Sequence, residues 1–228
     1  MKNVLFIHQY GSNYLDRASE SRGLNNLAFI DVPLGKEHSA SRIQIPDPVT
    51  LVICSGLKGH YPRVRENLIP GQRFVLYSND LNIEPAPGIV TFPKEYGAEH
   101  DLFGDLAKII KLHDPAWGTF LFVEDEDCLA DALERIASKR GLNLDVHRYS
   151  GVGQFEIPEK TRAVVSDSLC GSWKYVHERA LGKGLPFTLY SAHSDEIEKA
   201  KKQGIRTVPK CCQGLEQEVT GLMLENDL

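Results

Sequence analysis

Short apolar runs alternate with amphipathic stretches along the whole chain. Runs such as Leu51–Ile53 and Phe120–Val123 suit strands buried on both faces, which read as unbroken apolar segments. In CLADALERIASKRG the apolar Leu129, Ala132, Leu133, Ile136 and Ala137 fall at helical spacing, and Gly141 is placed to stop that helix. AEHDLFGDLAKIIKLHD predicts a second long helix, with Pro115 behind it. Strands alternating with helices imply right-handed crossovers and parallel sheets flanked by helices.

The pattern occurs twice. The first half reads VLFIHQY, a helical YLDRASESRG, LAFIDVP, TLVICSG, a helical YPRVRENL, RFVLYSND and GIVTFPKEYG. The second reads TFLFVED, a helical CLADALERIASKRG, LDVHRYSG, RAVVSDS, a helical WKYVHERALGKG, PFTLYSAHS and GIRTVPKCCQG. Corresponding pieces lie about 115 residues apart and in the same order, so that Tyr77 answers to Tyr190 and Pro93 to Pro209. A chain built this way is an internal duplication. The expected fold class is α/β: two small Rossmann/flavodoxin-like parallel-sheet lobes.

In such sheets ligands bind beyond the carboxyl ends of the strands, where loops meet helix N-termini. The loops at those places are CSGLKG, YSND, SDSLCGS and YSAHSD. Any one of them reads as helix capping, and Ser194 does so in particular. Four loops rich in small polar residues, at equivalent places in two lobes, read instead as the lining of a cleft. Ser55, Ser78, Ser168, Ser191 and Ser194 would offer hydroxyls and backbone N–H groups to an anion. Lys58 and Lys174, just past two matching loops, would counter acidic groups or simply face solvent. His193 offers an acid near neutrality.

Composition narrows the function classes. The chain has 228 residues and a formal net charge of −5, which argues against nucleic acid as a partner, since that affinity comes from neutralising phosphates. MKNVLFIHQYG reads as a first strand rather than a signal peptide. No run approaches the roughly 18 apolar residues that would cross a membrane. Five cysteines, with no C-x-x-C pair, fit buried thiols in a reducing compartment, so a cytoplasmic location is expected. EDEDC resembles an acidic metal cluster, but carboxylates also favour the positive end of a helix dipole, and the helix-start reading is preferred. No metal and no dinucleotide cofactor is expected, for no G-x-G-x-x-G follows a strand.

The order of motifs resembles the uroporphyrinogen-III synthase family. FPKEYGAEHDLFGDL stands where that family closes its first half, LERIASKRGLNLDVHRYSG where it has a helix followed by a strand ending in V-Y, and YSAHSDEIEKAKKQGIRTVPKCCQGLEQEV where its last helix, strand and helix lie. The resemblance covers nearly the whole chain, by order and spacing more than by identity. It implies that the lobes are joined by two crossing segments, VPLGKEH and HRYSGVG. One lobe would then hold residues 1–34 with 152–228 and the other 36–148; a head-to-tail division is the rival arrangement.

The resemblance also implies an activity: cofactor-independent cyclisation of hydroxymethylbilane, a linear tetrapyrrole, with inversion of its last ring, by a monomeric enzyme of heme biosynthesis. Tyr149 matches the family's strand-end tyrosine and would donate to the departing hydroxyl. Ser55, Lys58, Ser78, Ser168, Ser191, His193 and Ser194 would hold the substrate. The chain departs from the family's strand-end F-T-S, with Ile53-Cys54-Ser55 and Val165-Ser166-Asp167 in those places, and Ser78 and Ser191 replace loop glycines. Those departures favour an alternative: a non-catalytic protein that binds or senses a tetrapyrrole or another small anion on the same scaffold. A third reading is an interaction module with a vestigial cleft.

Overall fold

The structure, a computed structural model, describes residues 2–9, 15, 22–33, 36–78, 89–92, 101–151, 155–211 and 214–225. It divides head to tail into two compact units, Met1–Ala116 and Trp117–Leu228. Most of the helical stretch read at 14–23, the PKEYG segment with Pro93, and Cys212 lie outside the described residues.

The first unit is a parallel sheet of β1 (Val4–His8), β2 (Leu27–Asp31), β3 (Leu51–Ser55), β4 (Arg73–Tyr77) and β5 (Val90–Phe92), in the order β2-β1-β3-β4-β5. The second holds β6 (Thr119–Glu124), β7 (Leu144–Arg148), β8 (Thr161–Ser166), β9 (Phe187–Ser191) and β10 (Arg206–Pro209), in the order β10-β9-β8-β6-β7. Counted within each unit, both are the flavodoxin-like order 2-1-3-4-5. The helices are α1 (Tyr61–Arg65) and α2 (Leu102–His113) in the first unit, then α3 (Asp127–Arg140), α4 (Trp173–Gly182), α5 (Ser194–Lys202) and α6 (Leu215–Glu225) in the second. Among the described residues no helix is long and apolar enough to cross a membrane.

Two crossing segments are not what the strands form. β1 pairs in register with β3, Val4 opposite Leu51 through Ile7 opposite Cys54, and on its other side with β2. β1 and β2 therefore belong to the sheet of the first unit and do not join residues 152–228 in one lobe. Duplication explains the difference: β1 (VLFIH) and β6 (TFLFVE) are both apolar runs followed in sequence by an edge strand, so motif order fits either sheet. Only the hydrogen-bond ladder assigns the strands.

Each sheet is buried on both faces. Leu5, Ile7, Val52, Cys54 and Leu76 face one side of the first sheet with Tyr61 and Val64 of α1. Val4, Phe6, Leu51, Ile53, Val75 and Tyr77 face the other with Leu106, Ile109 and Ile110 of α2. The duplication extends to individual contacts. Phe6 meets Tyr77 edge-on at 6.2 Å, as Phe122 meets Tyr190 at 5.6 Å. Tyr61 stacks on Phe74 at 6.4 Å, as Trp173 stacks on Phe187 at 6.5 Å. Tyr77 donates to Asp105 and Tyr190 to Glu218, in both cases 28 positions downstream.

Trp173 anchors the second unit. It is fully buried, and its indole N–H donates to Glu196 of α5 at 2.7 Å. Trp173→Ala is expected to cost about 3–5 kcal/mol of the second unit's stability, read by urea unfolding followed by circular dichroism. A loss below about 1 kcal/mol would contradict this packing.

Candidate functional site

Burying both faces of a parallel sheet leaves polar chemistry to the strand ends. In the second unit β6 is flanked by β7 on one side and β8 on the other. The connection after β6 runs to β7 and the one after β8 runs the opposite way to β9, the arrangement that opens a crevice at the carboxyl edge. β6 ends in Glu124 and β8 runs into Asp167, whose backbone N–H donates to the Val123 carbonyl at 2.9 Å. Lys210 follows β10 and is held by its own N–H, which donates to the Ser191 carbonyl at 2.9 Å. From there its ammonium reaches past β9, lying 3.2 Å from Glu124 Oε2 and 3.0 Å from Asp167 Oδ1. Oxygens of Glu124, Asp125 and Asp167 all lie within 4.8 Å of one another.

The balance of charge here is uneven. Glu124 is completely buried. Burial raises its pKa above the ordinary glutamate value; the Lys210 charge opposes that rise, and Asp167 adds to it. Its Oε1 accepts the N–H groups of Asp125 and Glu126 at 3.1 and 3.2 Å, which helps hold the carboxylate in place. For Lys210, burial works against the charge, yet the attraction of Asp167 and then Glu124 prevails, and its pKa lies above the usual lysine value. One ammonium among three carboxylates leaves surplus negative charge, and an all-oxygen set of this kind suits a hard divalent cation.

An open cavity of about 360 Å³ lies against this edge. Asp167, Lys210, Glu126 and His193 form its polar side, while Leu129, Ala192 and Leu215 line it with apolar groups. Tyr190 also contributes. Its hydroxyl donates to Glu218 of α6, and burial, then that carboxylate, push its pKa up.

The residues expected from sequence divide between the units. In the first, Ser55 ends β3, and its buried Oγ has no hydrogen-bond partner among the described residues. Lys58 takes a left-handed backbone and pairs with Glu37 at 3.0 Å. The Ser78 N–H donates to the Phe92 carbonyl at 3.3 Å. In the second unit Tyr149 sits just past β7 with its ring against Phe155, and its buried hydroxyl likewise has no partner among the described residues. Ser168 is buried beside Asp167, with Oγ 3.4 Å from Oδ1. The Ser191 Oγ accepts the His193 N–H at 3.0 Å and so braces the loop. His193 lines the cavity. It, and not Ser194, occupies the N-cap of α5, and no side-chain bond caps that helix. Exposed Lys174 lies 5.8 Å from the Trp173 ring centroid.

The helix-start reading of EDEDC applies to Glu126, the N-cap of α3, and to Asp127. It missed Glu124, which belongs to the strand end, and it passed over Asp167 and Lys210. The signal available was that each charged residue stands at or just past the end of a strand-like run: FLFVE, AVVSD and TVPK. In the first unit the left-handed pair Leu57 and Lys58 matches Leu169 and Cys170, which puts Ser55 where Asp167 stands and His8 where Glu124 stands. Buried His8 has its pKa lowered by desolvation, with Asp31 pulling the other way. The duplicated edges thus carry different chemistry.

Comparison with protein-family models finds no match, and comparison with curated proteins finds none either. Among solved structures the chain is similar to the glycosyltransferase SnogD from Streptomyces nogalater, at 14% identity over 98% of this chain and 90% of that one. The TM-score is 0.29, too low for that likeness to carry any inference about activity.

Proposed function

We propose that the second unit is a phosphoryl-accepting module, a specific form of the small-anion sensing reading, with Asp167 as the acceptor. The observation behind it is the set of carboxylates and one ammonium converging at the crevice between β6 and β8, with Asp167 the member of the acidic set that lines the cavity. A carboxylate can act as a nucleophile toward phosphorus when nearby positive charge offsets the incoming phosphoryl charge. Glu124 and Asp125 would hold a divalent cation with Asp167, and Lys210 would turn from Asp167 to the phosphoryl oxygens. An Asp167 oxygen then bonds to phosphorus while the bond to the donor's leaving group breaks, and the leaving group departs with the electron pair. Ser191 and Ser168 brace the loops around the acceptor. Covalent modification of one carboxylate at this edge would change the local charge, which suits a sensor.

A second reading, the cyclase implied by the resemblance, is favoured by one observation: the buried hydroxyl of Tyr149 has no partner among the described residues, as suits a donor held for a substrate.

Three measurements separate these readings. Incubation with acetyl phosphate and magnesium is expected to add one phosphoryl mass to the intact protein, removable by hydroxylamine and absent in Asp167→Asn. Failure to gain mass, or a gain that persists in the variant, rejects Asp167 as acceptor. Lys210→Met leaves buried carboxylates without their ammonium and is expected to cost about 2–4 kcal/mol. Millimolar magnesium or calcium should restore more stability to that variant than to the wild type, as read by thermal unfolding; equal shifts would count against the cation site. For the cyclase, hydroxymethylbilane should yield the inverted porphyrin isomer, with Tyr149→Phe slowing it by about a hundredfold. Only the uninverted isomer, at the spontaneous rate, rejects it.

A further inference from the structure

The cavity beside Asp167 is larger and more apolar than a phosphoryl group requires. Its volume of about 360 Å³ is far above the ~30 Å³ share of one water and lies within the range of organic-ligand pockets. One side offers Asp167 and Lys210. Three separate elements also each contribute an apolar group to the lining: Leu129 from the first turn of α3, Ala192 from the loop after β9, and Leu215 from the start of α6. The surrounding loop sequences, EDEDC and SAHSD, are otherwise strongly polar. Leu129 and Leu215 are only half-buried, so each keeps apolar surface that a ligand can cover.

We infer that the phosphodonor is a small organic phosphate with an apolar leaving group, and that Leu129, Ala192 and Leu215 select it. This rests on Asp167 being the phosphoryl acceptor. The donor's phosphoryl group lies toward Asp167 and Lys210, and its organic part covers the apolar wall. That removes apolar surface from water, a gain unavailable to a donor with little or no organic part. A donor whose organic part bears a further, free carboxylate is disfavoured by Glu126 at the same cavity. With an aromatic acyl phosphate the electrons balance simply. An Asp167 oxygen forms its bond to phosphorus, the phosphorus–oxygen bond to the acyl group breaks, and the aryl carboxylate leaves with the pair, needing no proton.

The test compares two donors of the same chemical class on the full-length protein with magnesium present. Phosphorylation of Asp167 is followed by intact mass over a range of concentrations of acetyl phosphate and of benzoyl phosphate. The concentration giving half the maximal rate is expected to be on the order of tenfold lower for benzoyl phosphate. In Leu215→Ser, and separately in Leu129→Ser, the ratio between the two donors should fall toward one. Equal half-saturation for the two donors in the wild type overturns the apolar selection while leaving Asp167 as acceptor. A preference that survives in both variants overturns the role of the wall. No phosphorylation by either donor overturns the acceptor reading and this inference with it.

Discussion

The constraint from which the rest follows is that each five-stranded parallel sheet is covered on both faces. A strand buried above and below has no place for a charge along its length, because an unpaired buried charge costs several kcal/mol. Polar residues are therefore driven to the strand ends, and in a flavodoxin-like order the ends of the first and third strands border a crevice. Glu124 and Asp167 stand at that position, and Ser55 and His8 occupy the matching one in the first unit. The apolar periodicity that builds the core thus also decides where chemistry can sit.

At the second unit's edge, position brings opposite charges together. Lys210 is held between Glu124 and Asp167 at 3.2 and 3.0 Å, and mutual attraction keeps it charged against the cost of burial. Its charge does not cancel the acids around it. Burial, and after it the neighbouring Asp167, raises the pKa of Glu124, against the pull of Lys210. The 360 Å³ cavity is lined by Asp167 and Lys210, so this charged edge opens onto a space that a ligand could enter.

The duplication separates scaffold from function. The aromatic pairs, the left-handed turns after β3 and β8, and the tyrosine-to-carboxylate bonds recur in both units. The strand-end residues that would do chemistry do not. Packing contacts carry several kcal/mol each and tolerate little change, whereas a strand-end side chain can be exchanged without disturbing the sheet beneath it.

The sequence by itself determined the α/β class, the internal repeat, helices such as α2 and α3, and the stop at Gly141, which adopts the left-handed conformation. Those features follow from local periodicity and backbone sterics, which are written residue by residue. Which sheet β1 and β2 join was decided only by the ladder, because a duplicated chain offers two equivalent apolar partners. The grouping of Glu124, Asp167 and Lys210 was likewise hidden. They lie far apart along the chain, and it is the parallel order of β6, β8 and β10 that brings their side chains within hydrogen-bonding distance.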